Sequence, residues 1–165
     1  MQKIRFVLMG VLLMNLTTLC QAKNSCAWLN EATASGLLGG DVVGNFAEAT
    51  QDNPAVCTFV RQGAGFTRTL RITVEVTADA TARLAEVAKV CGAGATPLKA
   101  IGNQALVCPA DERKGTMGER VVGQVRNQIF TITMTGTLKG DPLLTRGELK
   151  ARIYTAAEQV SGNLF

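Results

Sequence analysis

Phe66-Thr-Arg-Thr-Leu70-Arg-Ile72-Thr-Val74-Glu-Val76-Thr77 (FTRTLRITVEVT), followed by Ala78-Asp79 and then ATARLAEVAKVC over 80–91, decides the fold. Leu70, Ile72, Val74 and Val76 alternate with Arg71, Thr73 and Glu75. That period of two predicts a strand with one face on a core and the other in water. Past Asp79, a residue suited to cap a helix, the period changes. Ala80, Leu84, Val87, Ala88 and Cys91 fall on one helical stripe, which predicts an amphipathic helix.

The same order runs outward in both directions. Upstream, Asp41–Phe46 reads as a short, weak strand, and Val56–Val60 as a β-rich one set off by Asp52-Asn53-Pro54. Downstream, a turn-like stretch from Gly92 to Pro97 leads to a strand at Gln104–Cys108. The runs Glu119–Val125 and Ile129–Thr135 then form a hairpin around Arg126-Asn127-Gln128. Thr145-Arg-Gly-Glu148 has the spacing of a capping box, and Leu149, Ile153, Ala156, Ala157 and Val160 line one face of the helix it opens, before Gly162. Two successive passes of strands followed by a helix predict an α+β fold, an antiparallel sheet with helices packed on one face.

The glycine pair in CAWLNEATASGLLGG (26–40) poses a choice between a phosphate loop and a helix stop. Asn30 can cap a helix that starts at Glu31, whose carboxylate suits the positive end of the dipole. Gly39-Gly40 then fall where a left-handed cap is wanted. A phosphate loop needs strand, glycines and helix in that order, so this pair ends a helix. Gly92-Ala-Gly94 follows a helix and Gly63-Ala-Gly65 lies between strands, which disposes of them by the same test.

Lys3 and Arg5 precede the apolar run Phe6–Met14, which is too short for a comfortable permanent span. This reads as a secretory leader over 1–22 with cleavage after Ala22, leaving one domain over 23–165. Lipid attachment at Cys20 is the rival, opposed by the bulky Leu19 before it. Loss of the leader removes Lys3 and Arg5 and no acid, so the formal charge falls from +4 to +2. So small a charge, with one Trp and one Tyr, argues against nucleic acid as partner.

Cys26, Cys57, Cys91 and Cys108 remain, and in an exported chain an even count reads as disulfides whose three pairings spacing alone does not separate. Cys26–Cys57 with Cys91–Cys108 is the favoured set, because each bond would tie a helix end to the strand after it. Loop closure assigns roughly 3 kcal/mol to each. Metal binding by the same residues is disfavoured, since the chain has no histidine and no C-x-x-C. No cofactor is expected.

Without histidine the usual base for a serine or cysteine nucleophile is missing. Ser25, Ser35 and Ser161 sit in no Gly-x-Ser-x-Gly elbow. Two carboxylates can still meet from anywhere in a chain, and Asp111-Glu112, followed by Arg113-Lys114, is the obvious acidic pair. That loop also reads as a place to display binding residues. Arg61, Arg68 and Arg71 cluster around the Gly63-Ala-Gly65 turn, with Arg120 and Arg126 beside the later hairpin. They form a candidate surface for an anionic partner, against the plainer reading that exposed strand charges block edge pairing. Trp28 is expected to pack the first helical turn near Cys26.

Cys26-Ala-Trp-Leu-Asn30, Leu37-Leu-Gly-Gly40, Cys57-Thr-Phe59, Lys99-Ala-Ile-Gly-Asn103-Gln-Ala105 and Val121-Val-Gly-Gln-Val125 together resemble a broad class of small exported bacterial proteins and lipoproteins of unassigned function. Those typically read Cys-x-Leu-Leu-Thr-x-x-Glu, then Leu-Gly-Gly, Cys-Thr-aromatic and Gly-Leu-Gly-Asp-x-Ala; this chain departs at Trp28 and Asn30. The resemblance implies fold and compartment rather than activity. The expectation is therefore a secreted or periplasmic, non-catalytic binding module for an envelope or extracellular partner. A protein inhibitor using the 61–66 turn or the 109–118 loop is its concrete form. The competing expectation is a carboxylate-dependent enzyme acting on an envelope glycan.

Overall fold

The computed structural model describes residues 25–110, 115–137, 141 and 145–165. The expected leader, the cleavage point, Cys20, and Asp111, Glu112, Arg113 and Lys114 lie outside these residues. The elements run α1 (Glu31–Leu38), β1 (Val43–Ala47), β2 (Ala55–Gly63), β3 (Phe66–Val76), α2 (Ala80–Ala88), a 3-10 segment (Lys89–Gly94), β4 (Thr96–Leu98), β5 (Gln104–Pro109), β6 (Thr116–Val125), β7 (Gln128–Thr137) and α3 (Arg146–Leu164). The strands form one antiparallel sheet in the order β1-β2-β3-β7-β6-β5-β4. The α+β class and the two strand-then-helix passes are as expected.

At the centre β3 pairs with β7, placing Leu70 beside Met134, Ile72 beside Ile132 and Val74 beside Phe130. These side chains share the inner face of the sheet, and α1 and α3 cover it. Thr145 caps α3 by accepting from the Glu148 amide, and Asn30 caps α1 by accepting from the Thr33 amide. All five residues expected to face the core from α3 are buried. The helix continues through Gly162 to Leu164, whose buried side chain holds the last turn in place. Burial of each such Leu, Ile or Val is worth about 1.5–3 kcal/mol, so the inner face carries most of the stability. Gly123 in β6 lies opposite Phe130, and a Cβ there would come within 2.3 Å of the ring. The glycine is the space into which Phe130 packs. Trp28 is half-buried against this core and meets Phe46 edge-on at 6.2 Å between centroids. Val76, read as a core position, is exposed at the end of β3, paired with Gln128 next to the hairpin turn.

The expectation of helices on one face holds for α1 and α3. Helix α2 takes the opposite, outer face, because β6 and β7 offer Val122 and Ile129 there, out of phase with Val121 and Phe130. Together with Ala80, Leu84, Cys91 and Cys108 they make a second, smaller core. Asp79 caps α2 as expected, accepting from the Ala82 amide. The stretch read as a turn after it contains the three-residue strand β4, an edge position that tolerates Pro97.

Cys26 is bonded to Cys57 and Cys91 to Cys108, the favoured pairing. One bond ties the segment before α1 to the inner face of β2, and the other ties the 3-10 segment to the outer face of β5. Among the described residues no helix is long and apolar enough to cross a membrane. Both features are compatible with an exported protein.

Candidate functional site

The arginines expected at one surface divide between the two faces. Gly39 ends α1 in the left-handed region at φ +79°, and the Gly39 and Gly40 amides both donate to Ser35 O. The last carbonyls of the helix remain to be satisfied, and three guanidinium groups do it. Arg61 donates to Leu38 O at 2.9 Å, Arg68 to the same oxygen at 2.8 Å, and Arg152 to Leu37 O at 2.8 Å. Cations at a helix C-terminus also oppose its negative dipole end. A Cβ on Gly39 would lie 2.9–3.1 Å from all three guanidiniums. The glycine pair is thus both the helix stop and the room for this cluster.

Arg68 is itself buried, and its Nε and Nη2 donate to the two oxygens of buried Asp141 at 2.6 and 2.7 Å. The side-chain hydrogen bond to Asp141 raises its pKa further above the ordinary arginine value. Phe66 lies against both Arg61 and Arg68, 5.3 and 5.2 Å from their guanidinium carbons. Arg68 therefore leaves the expected contact surface, a correction with a plain cause: an orphan helix carbonyl and a buried carboxylate need it, while half-buried Arg61 reaches the same carbonyl from the rim. Extending the alternation of β3 backwards shows the signal, because Phe66 and Arg68 are in phase with Leu70 and Ile72.

Arg71 is out of that phase and stands exposed on the outer face. Beyond the ground covered by α2, no other described element packs over this face across β1, β2, β3 and β7. Arg71 is paired with Thr58 on β2 and Thr133 on β7, and Thr133 with Arg120 on β6. The flanking rows bring Thr73 beside Thr131 and Thr69 beside Thr135. The result is a hydroxyl-covered floor, walled by Val87 and Val90, enclosing a hollow of about 500 Å³. A second, larger hollow of about 810 Å³ runs from Arg71 over Thr58 and Val60 to Val43 and Asp41. The alternation Thr131-x-Thr133-x-Thr135-x-Thr137 was the legible signal for this floor. Among the described residues the side chains of Arg71 and Arg120 make no ion pair or hydrogen bond. Glu75 on the same face is neutralised by Arg83 of α2, which also donates to Glu86 at 2.8 Å. The plainer reading of these arginines, protection of sheet edges, does not fit Arg71 and Arg120. Strands β3 and β6 are interior, with partners on both sides.

The carboxylates offer less. Buried Asp141 is held by Arg68 and buried Glu119 by Arg146 at 3.2 Å. Glu148 is paired with Arg152. Among the described residues no group of three His, Cys, Asp or Glu side chains is placed to hold a metal ion. The outer face thus supplies fixed charge and hydroxyls, a chemistry suited to holding a ligand. Compared with known proteins, no family model, no curated protein and no solved structure matches the chain.

Proposed function

We propose that this protein is an exported, disulfide-bonded binding module that recognises an envelope or extracellular ligand through the open outer face of its sheet, without catalysing a reaction. The observation that carries the reading is the division of the sheet. One face is sealed by α1 and α3, while among the described residues the other is left uncovered over β2, β3 and β7, with two arginines in its floor whose side chains pair with no described residue. The leader read in the sequence and the two disulfides support the compartment. The 61–66 turn is a two-residue hairpin with Arg61 and Phe66 folded into the α1 cluster, which favours the sheet face over that turn as the contact surface.

The test compares the oxidised protein with Thr133→Glu, in the middle of the floor, and Lys150→Glu, on the exposed side of α3. Each is exposed to fractionated envelope polysaccharides, peptides and proteins. Retention should be lost in Thr133→Glu and kept in Lys150→Glu. The opposite pattern places recognition on the helical face, and conversion of any retained ligand, detected by mass spectrometry, ends the non-catalytic reading.

A further inference from the structure

We infer, resting on that reading, that the ligand of the outer face is a carboxylated polysaccharide strand lying across β3, β7 and β6, with Arg71 and Arg120 each taking one carboxylate. The two arginines flank Thr133 in a single cross-strand row. They are two inter-strand steps apart, about 9.6 Å, a spacing of the order of a disaccharide repeat. A chain charged at every second sugar can therefore meet both at once. Guanidinium groups hold carboxylates through paired hydrogen bonds, and neither arginine has a competing partner within the described protein.

Charge complementarity points the same way. Glu75 is consumed by Arg83, and Asp41 stands at the far rim of the larger hollow, so the row itself is positive. Around it Thr69, Thr73, Thr131 and Thr135 present hydroxyls, which both donate and accept and match the hydroxyls of a sugar. Val87 and Val90 give the rim an apolar wall for C–H faces. Among the described residues no aromatic side chain lines either hollow, and these residues offer no stacking platform of the kind that single-stranded nucleic acid uses.

Isothermal titration of the oxidised protein with polygalacturonate and with its fully methyl-esterified form, the same backbone without charge, tests the assignment. The acid form should bind and the ester should not. Arg71→Gln and Arg120→Gln should each weaken binding about tenfold, as expected for loss of a charge-assisted contact, while Lys150→Glu leaves it unchanged. Absence of polygalacturonate binding, equal binding of acid and ester, or glutamine variants that bind like the parent overturns the proposal. So does tighter binding of single-stranded DNA lost in the same variants, which reassigns the row to phosphate. Amide shift mapping separates the two levels. A neutral ligand that perturbs β3 and β7 regardless of the arginines sinks the carboxylate assignment and leaves the open-face reading standing. Shifts confined to α1 and α3 sink both.

Discussion

Asp141→Ala should be among the most destabilising single changes in this protein. The Arg68 and Asp141 side chains are 3% and 1% exposed, and two hydrogen bonds of 2.6 and 2.7 Å join them. Removing the carboxylate leaves a buried guanidinium with the Leu38 carbonyl as its remaining acceptor among the contacts described. Breaking a buried pair in this way costs about 3–5 kcal/mol, a large part of the 5–15 kcal/mol of a typical domain. With a urea dependence of about 2 kcal/mol per molar, a loss of about 4 kcal/mol lowers the midpoint by about 2 M. The assay is equilibrium unfolding of the oxidised protein followed by far-ultraviolet circular dichroism. Replacing both partners, as Arg68→Met with Asp141→Leu, removes the unpaired charge and should recover much of the loss. The pair is shielded from solvent, so added salt should change the penalty little. Because the folded pKa of Arg68 lies above its already high unfolded value, the stabilisation linked to its ionisation is fully present below the unfolded pKa and is lost only as pH rises through the folded one. It does not vary between weakly acidic and weakly alkaline conditions. An Asp141→Ala midpoint close to that of the parent, or a double variant no better than the single, would refute the reasoning.

Three further outcomes follow from the geometry. Removing Cys26–Cys57, which spans 31 residues, should cost about 3.7 kcal/mol against about 3.1 for Cys91–Cys108, which spans 17, on loop-closure entropy. Paired serine variants measured by denaturation test the ranking, and the reverse order would show that local packing governs it. Gly39→Ala should cost roughly 1–3 kcal/mol, since the residue is left-handed and its new Cβ meets three hydrogen-bonded guanidiniums; a thermal midpoint equal to the parent's contradicts this. The hydrogen bond from Arg83 holds the Glu86 carboxyl below the ordinary range. Its small stabilisation is therefore present above the unfolded pKa and disappears as pH falls through the folded one, and a carboxyl-carbon titration should move upward in Arg83→Gln.

How far the sequence could be read depended on whether a residue's role was local. Caps at Asn30, Asp79 and Thr145 were legible because each is satisfied within three residues by its own helix. The α3 stripe was legible because a period of 3.6 meets one flat surface. The position of α2 was not, because facing the opposite side of the sheet requires only that Val122 and Ile129 be apolar where Val121 and Phe130 also are, and a doubly apolar run does not say which helix covers which face. Arg68 was misplaced for a similar reason. A charge in phase with core residues reads as an outlier until its partner is known, and Asp141 is 73 residues away. Arg71 and the threonine floor were visible in alternation, but their joining into one row depends on the β3–β7 and β6–β7 registers.

The separation of faces lets stability and recognition be varied independently. The main apolar core, the three-arginine cluster around the end of α1 and the Arg68–Asp141 pair all lie on the inner side of the sheet, and the smaller core under α2 occupies only part of the outer side. On the open side, threonine satisfies the β-branched preference of a strand while keeping the surface wet. Exposed substitutions away from special features shift stability by about 0.5 kcal/mol or less, so Arg71→Gln should leave unfolding unchanged whatever it does to a ligand. An arginine on an interior strand whose side chain pairs with no described residue is better explained by what it meets from solution than by what it does for the fold.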